Sequence, residues 1–279
     1  TSFFTNEPAE ELAKLLSTNS PTGLDKVYFV SSGSEAIEAS LKLAKQYFNE
    51  IGKPKKHKVI SRKQSYHGNT LGALAVGGNI QRRSLFEDLL IETSLISPCY
   101  KYRFQDANES EIQYGLRVAN ELEDEIIRLG PDNVMAFIAE TVVGATAGAL
   151  TPVEGYFERI REICTQYDVL LILDEVMCGM GRTGPLFACD EEKIIPDIIT
   201  IAKGLGAGYQ PIAAMMCQNF INDAINRGSG FFQHGHTYLG HPIACAASLA
   251  VVNKLIKENF FEKVRKKGEY LQKSLEVTL

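Results

Sequence analysis

The chain has 279 residues, of which 45% are hydrophobic and 23% are charged, and its formal net charge is -5. This is the composition of a globular protein with a sizeable core, and mild acidity without a basic stripe argues against a nucleic-acid-binding protein. None of the six cysteines forms a Cys-x-x-Cys pair or a metal-ligand spacing with histidine, so we expect no metal site and a reducing compartment.

The start of the chain, TSFFTNEPAEELAKLL, predicts an amphipathic helix and carries no initiator methionine. We therefore expect the chain to begin inside a domain. A signal peptide, a transit peptide and a long apolar run are all missing from the sequence. We accordingly expect a cytoplasmic protein that does not bind membranes.

From Lys26 onward, short apolar runs alternate with segments of helical periodicity. A helical pattern begins soon after the first strand, and others occupy 155–168 and 241–277. The basic cluster KPKKHK at 53–58 lies between a helix and a strand and is interpreted as a solvated loop. The predicted strands are 26–30, 58–62, 133–140, 169–176, 197–204 and 212–217.

Continuous apolar strands between helices indicate an α/β fold with a mostly parallel sheet that helices cover on both sides. Ligands of such sheets bind beyond the carboxyl ends of the strands. The polar residues that follow each strand are therefore the candidates for a functional site. The last long helix turns charged near Lys254, where we place the domain boundary.

The segment SSGSEA follows the first strand at the start of a helix, and it contains Ser32, Gly33 and Ser34. Free N–H groups at a helix start, together with a small glycine and a hydroxyl, form a site suited to phosphate. An ordinary serine N-cap explains the same residues equally well. The stretch matches neither the dinucleotide fingerprint nor the Walker motif.

Polar residues also follow the second and third strands. In QSYHGNT, Tyr66 either lays its ring over a flat ligand or packs under a loop, and His67 is interpreted as an ordinary hydrogen-bonded loop histidine. Glu140 ends the strand VMAFIAE and needs a partner or water there, because a carboxylate is costly to bury alone.

The next two strands end in opposite charges, Asp174 after VLLIL and Lys203 after IITIA. A buried carboxylate needs a cationic partner, whereas a lone lysine at a strand end most simply extends to solvent. A flat, phosphorylated, cationic ring that bonds to a lysine through an aldehyde would use the phosphate site, the aromatic ring of Tyr66, Asp174 and Lys203 together. Pyridoxal 5′-phosphate is such a cofactor.

At this point the sequence resembles the class III, or ω-amino-acid, aminotransferases. The matching motifs are FVSSGSEAIEASLKLA, YHGNT, LILDEVMCGMGRTG, PDIITIAKGLGAGYQP and GHTYLGHPIACAA, in the order of that family and over nearly the whole chain. The resemblance implies an aspartate-aminotransferase-like fold of pyridoxal-phosphate fold type I. Residues 1–253 would be the cofactor-binding large domain without its N-terminal part. Residues 254–279 would begin the helical link into a small C-terminal domain that is largely missing.

The resemblance also assigns the catalytic and phosphate-binding residues. It makes Lys203 the Schiff-base lysine and the proton carrier, and it makes Asp174 the partner of the pyridinium nitrogen. Ser32, Gly33 and Ser34 would bind the cofactor's phosphate.

Further residues of the cofactor site follow from the same resemblance. Tyr66 would stack on one face of the ring, and Val176 would cover the other. Glu140 would lie near the cofactor and the substrate entrance. Thr237 would reach the phosphate of the partner subunit's cofactor, which implies a homodimer with shared active sites and leaves assembly to a tetramer open.

Three departures from the family pattern stand out. Met177 replaces the glutamine that often follows DEV and contacts the cofactor's ring hydroxyl, and DEVMCG together with GHP resembles the branch that uses ω-amino acids or amines with pyruvate. Thr141 follows Glu140 where proline is common. The arginine that usually binds the substrate carboxylate belongs to the missing domain. We therefore expect the biological protein to be longer than this chain.

The implied activity is ping-pong transfer of an amino group from an ω-amino acid, amine or amino acid to a keto acid such as pyruvate. An aminomutase, racemase or decarboxylase of the same fold would keep Lys203, Asp174 and the phosphate site. A non-catalytic scaffold and a nucleotide-binding Rossmann protein are the remaining alternatives. The missing glycine fingerprint weakens the last of these.

Overall fold

The structure is a computed structural model that describes residues 4–278. Within that range no helix combines the length and the apolar character needed to cross a bilayer. The strands are β1 (Lys26–Val30), β2 (Lys58–Arg62), β3 (Thr93–Ile96), β4 (Val134–Glu140), β5 (Leu170–Asp174), β6 (Ile198–Ile201) and β7 (Ala213–Cys217). The helices are α1 (Glu7–Thr18), α2 (Gly33–Glu50), α3 (Leu71–Ala75), α4 (Ile80–Arg83), α5 (Lys101–Phe104), α6 (Glu111–Leu129), α7 (Tyr156–Gln166), α8 (Asn219–Arg227), α9 (Pro242–Lys257) and α10 (Phe260–Thr278).

The seven strands form one sheet in the order β1-β7-β6-β5-β4-β2-β3. Only β7 runs antiparallel to its neighbours β1 and β6, so the other strands described all point the same way. The predicted mostly parallel sheet is therefore confirmed. Because β6, β5 and β4 are adjacent, the strand ends that carry Lys203, Asp174 and Glu140 lie side by side.

Helices cover both faces of this sheet, as the continuously apolar strands predict. Side chains of α1, α6, α7 and α9 form a core with one face. Side chains of α2 and α8 form a second core with the other face. Both cores bury the central strands β4, β5 and β6 completely, so these strands hold the residues at their carboxyl ends in fixed positions.

Two segments differ from the sequence-based expectation. The edge strand β3 was not predicted, because its four residues TSLI do not stand out from the apolar segment that precedes them. The initial helix begins at Glu7, and Thr1 to Phe3 lie outside the described residues.

The cluster KPKKHK is not wholly a solvated loop, because Lys56 is buried. Its Nζ, which has three N–H donors, lies 2.8–3.1 Å from four backbone carbonyls, two at or just before the start of β4 and two just after α7. Burial lowers the pKa of this ammonium from its ordinary value. The side chain thus joins three segments at the edge of the sheet opposite the carboxyl ends.

Replacing Lys56 by methionine should cost at least about 3 kcal/mol in the free energy of unfolding, because it leaves several buried carbonyls without a donor. Lys53→Met is the matched control, since Lys53 makes only a half-exposed pair with Asp168, and it should cost less than about 1 kcal/mol. Urea unfolding followed by circular dichroism measures both. Equal losses in the two variants would contradict the structural role given to Lys56.

Candidate active site

A cavity of about 560 Å³ lies at the carboxyl ends of the strands. It brings together eight of the nine residues that the sequence assigned to a cofactor site. Thr237 is the ninth, and it lies outside the cavity lining in an exposed loop. The eight that line the cavity are Ser32, Gly33, Ser34, Tyr66, Glu140, Asp174, Val176 and Lys203.

The start of α2 forms one wall of the cavity. Ser32 is its N-cap, with Oγ accepting from the amide of Glu35 at 3.2 Å. Among the described residues, no acceptor contacts the amide hydrogens of Gly33 and Ser34, which are free at the positive end of an 18-residue helix. A side chain at Gly33 would collide with Val176. Ser32 can therefore cap the helix while the amides of Gly33 and Ser34 remain available to an anion, and these free amides fit a phosphate group.

Asp174 ends β5, is almost fully buried, and is held from two sides. Its Oδ2 lies 2.8 Å from Nδ1 of His67, and its Oδ1 accepts from the amide of Val176 at 2.9 Å. The other ring nitrogen of His67 lies 3.4 Å from the hydroxyl of Ser61. The sequence interpretation thus gave His67 no part in the site. Its position next to Tyr66 was the feature of the sequence that indicated one.

Lys203 follows β6 and opens a short 3₁₀ turn, Lys203–Leu205. Its side chain is exposed to the cavity, and Nζ contacts no hydrogen-bond acceptor and no carboxylate within residues 4–278. The backbone of Lys203 has a φ of 37°, which is unusual for a residue with a side chain. A left-handed non-glycine residue costs about 1–3 kcal/mol and often marks a functional position.

The glycine-rich loop after Lys203 serves two purposes. Gly208 lines the cavity with a φ of 81°, a left-handed conformation that glycine adopts without strain, and open space lies where a Cβ would be. Gly204 and Gly206 are instead required by packing, because a side chain at either position would collide with Met180 or with the backbone of Gln210.

Glu140 ends β4, and its partner is Arg62 at the end of β2. The guanidinium of Arg62, which is only 2% exposed, donates to the Glu140 carbonyl at 2.5 Å and lies 3.3 Å from Oε2. The second carboxylate oxygen of Glu140 accepts from the amide of Tyr66 at 2.9 Å. This buried ion pair therefore fixes the backbone that carries Tyr66.

Thr141, the residue after Glu140, has a contact of its own. Its hydroxyl donates to the Glu175 carboxylate at 2.9 Å, and the amides of Ala188 and Cys189 donate to the same group at 2.6 and 2.7 Å. Burial raises the pKa of Glu175 to about 7, and these donors act in the opposite direction. Thr141 and Glu175 thus anchor the loop that follows Val176.

Met177 lines the cavity and is 45% exposed. Its thioether is at most a weak hydrogen-bond acceptor, so it adds apolar surface to the cavity. The position of Thr237 outside the cavity of its own chain neither supports nor contradicts its predicted contact with the partner subunit's cofactor. That contact stays a prediction.

Comparison with known proteins identifies the chain. The family model described as aminotransferase class-III matches residues 1–279. The chain belongs to the class III aminotransferases. This confirms the resemblance that the five sequence motifs indicated.

Individual class III aminotransferases agree over nearly the whole chain. An aminotransferase of Gibberella zeae is 45% identical over 277 residues, which cover 98% of this chain and 54% of that protein. Gamma aminobutyrate transaminase 2 of Solanum lycopersicum is 42% identical over 276 residues, which cover 97% and 60%. The chain therefore spans little more than half the length of these relatives.

A solved structure gives the same result for the fold. The ω-transaminase from Pseudomonas jessenii in complex with PMP matches with a TM-score of 0.94 and 37% identity, over 99% of this chain and 61% of that one. The predicted α/β fold of the pyridoxal-phosphate type I enzymes is confirmed.

Proposed function

We propose that the protein to which this chain belongs is a pyridoxal-phosphate-dependent transaminase. It transfers an amino group from an ω-amino acid, amine or amino acid to a keto acid such as pyruvate in a ping-pong reaction. The observation that carries the proposal is the meeting, in one cavity, of the unpaired Lys203 amine, the buried Asp174 carboxylate and the free amides at the start of α2.

Pyridoxal 5′-phosphate, when bound, supplies an aldehyde that condenses with amines and a ring that accepts an electron pair from the substrate carbon. The residues present fit this group. The amides of Gly33 and Ser34 would hold the phosphate, Tyr66 and Val176 would enclose the ring, and Asp174 would bind the protonated ring nitrogen.

Lys203 would then have two tasks. Its Nζ would hold the cofactor covalently when no donor is bound. Once free, Nζ would accept the proton from the substrate carbon that bears the amine and would donate a proton to the carbon on the other side of the same nitrogen. A flexible side chain that is free of other partners can make both movements.

Asp174 and Tyr66 would act by holding fixed positions. Asp174 keeps the proton on the ring nitrogen because its negative charge stabilises the cationic ring. His67 fixes the orientation of this carboxylate, and the Arg62–Glu140 pair fixes the backbone at Tyr66. Each of these supports is buried, so none must reorganise during the reaction.

The substrate range follows from the wall of the cavity. Met177 presents an apolar surface, and the similar proteins include one named for gamma aminobutyrate and several ω-transaminases. We therefore propose ω-amino acids and amines as donors and pyruvate as an acceptor.

Amino transfer from a labelled donor to pyruvate tests the proposal. A transaminase must accumulate pyridoxamine phosphate when the donor alone is added, and must discharge it when pyruvate follows. A racemase, aminomutase or decarboxylase turns over its substrate without that accumulation. Turnover with no stoichiometric pyridoxamine phosphate would reject transamination.

We further propose a homodimer in which Thr237 reaches the phosphate of the partner subunit's cofactor. Two exposed aromatic side chains stand next to Gly208 and Thr237 in the sequence: Tyr209, beside the lining residue Gly208, is 77% exposed, and Tyr238, beside Thr237, is 69% exposed. Exposed aromatic surface beside a site suits a contact with another subunit.

A heterodimer of Lys203→Ala and Thr237→Trp subunits tests this arrangement. Its one remaining lysine site should bind pyridoxal phosphate as tightly as the unmodified protein, because the Lys203→Ala subunit supplies an intact Thr237. The Thr237→Trp homodimer should bind it at least about tenfold more weakly, as expected for a lost hydrogen bond to an anion. Titration of the borohydride-reducible absorbance measures both. Equal weakening in the heterodimer would place Thr237 in its own subunit's site.

We propose the domain division because α10 has exposed apolar side chains. Residues 1–253 would form the cofactor-binding domain and 254–279 the start of the link into a small domain. No residue of α10 that the structure describes is buried, and Tyr270, Leu271 and Leu275 are exposed on it. Further chain of the whole protein would cover these side chains.

A further inference from the structure

Arg82 adds a positive charge to the aromatic wall of the candidate site. Its guanidinium carbon lies 4.6 Å from the centroid of the Tyr66 ring, which is a cation–π contact. Tyr66 lines the cavity, whereas Arg82 is exposed on α4 just outside the lining. The stack therefore holds a permanent cation at the border of the cavity.

This guanidinium is unpaired within residues 4–278. No carboxylate lies within ion-pair distance of Arg82, and its side chain has no hydrogen-bond acceptor. Its neighbour Arg83 is the opposite case: it donates to the carbonyls of Ala75 and Gly77 and to the Glu87 carboxylate. The side chain of Arg83 thus stabilises the fold, whereas the N–H donors of Arg82 have no acceptor among the described residues.

The N–H donors of the Arg82 guanidinium are available, because no acceptor within residues 4–278 contacts them. These donors lie in the plane of the group and point outward. Two of these donors match the two oxygens of a carboxylate. A small carboxylate beside the Tyr66 ring would therefore meet a paired donor.

The charges of the cavity also favour a carboxylate bound at Arg82. Asp174 and Glu140 line it, and neither carboxylate can attract the carboxylate of a substrate. Lys203 is the one cation of the lining described, and in the proposed function its amine serves the reacting carbon. Arg82 contacts the lining residue Tyr66 and, among the described residues, has neither a hydrogen-bond acceptor nor a carboxylate partner.

We propose that Arg82 binds the distal carboxylate of an ω-amino acid donor, and that it makes the site prefer such donors over amines of the same length that lack a carboxylate. This inference rests on the proposed transamination and names the residue that selects among its donors. Arg82 is in this sense a specificity-determining residue.

The test compares 4-aminobutyrate with butylamine, which differ only in the carboxylate, as donors for the holoenzyme. In Arg82→Gln the ratio of kcat/KM for 4-aminobutyrate to that for butylamine should fall at least about tenfold, chiefly through KM. Arg82→Lys should recover part of the ratio, because it restores the charge without the paired donors. Arg103→Gln is the matched control, since Arg103 stacks on Tyr100 outside the cavity at 5.5 Å, and it should leave the ratio unchanged.

Calorimetric titration of the holoenzyme with butanoate gives a second measurement that needs no turnover. Its dissociation constant should rise by a similar factor in Arg82→Gln and stay unchanged in Arg103→Gln. An unchanged substrate ratio, or an equal loss with both donors and no change for butanoate, overturns the inference. Failure of every donor with the unmodified enzyme would instead reject transamination, and the butanoate titration would still decide the role of Arg82.

Discussion

Replacing Lys203 by alanine is expected to reduce kcat by at least about a thousandfold, since it removes both the covalent attachment of the cofactor and the proton carrier. Cofactor binding should weaken but persist, because the free amides of Gly33 and Ser34, the Tyr66 ring and the Asp174 carboxylate are untouched. The fold should also persist, because the Lys203 side chain contacts no acceptor or carboxylate among the described residues. Steady-state kinetics and the absorbance of bound pyridoxal phosphate measure the two effects.

Lys63→Ala is the matched control for this variant. Lys63 also follows a strand of the same sheet, but it is exposed and does not line the cavity. Its kinetics should equal those of the unmodified protein. Full activity in Lys203→Ala would remove the basis of the proposed mechanism.

Replacing Asp174 by asparagine should lower kcat by at least about a hundredfold with a small change in KM. The amide has the shape of the carboxylate but not its charge, so it cannot keep the proton on the ring nitrogen. Because Oδ2 of Asp174 meets His67 and Oδ1 accepts from Val176, the neutral side chain should keep nearly the same position. The loss is therefore electrostatic.

Asp197→Asn separates this electrostatic effect from a loss of stability. Asp197 lies beside the opposite ends of the strands, where its carboxylate pairs with Arg161 and accepts from the amide of Leu171. Its replacement should lower the unfolding midpoint and leave kcat unchanged. If Asp174→Asn altered KM alone, the role given to Asp174 would be wrong.

The sequence sufficed to predict the strand ends, because buried strands of a parallel sheet are so apolar that a single charge stands out. Asp174 closes a run in which every preceding residue from Val169 is apolar. The edge strand β3 escaped prediction because four residues beside an exposed apolar segment carry no distinct pattern. A two-residue periodicity needs more length than that to be recognised.

The partners of the site residues could not be predicted in the same way. His67 and Asp174 are 107 positions apart, and Arg62 and Glu140 are 78 apart. These pairs depend on the order in which the strands assemble, which local patterns do not specify. Lys56 shows the same limit, because its burial depends on carbonyls from two distant elements.

The most direct test of the account is to identify the residue that carries the cofactor. The holoenzyme is reduced with borohydride, digested with a protease, and mapped by mass spectrometry. The account predicts a phosphopyridoxyl group on the peptide that contains Lys203, and its loss in Lys203→Ala. A reduced cofactor on another lysine, or a holoenzyme with no trapped cofactor, would contradict it.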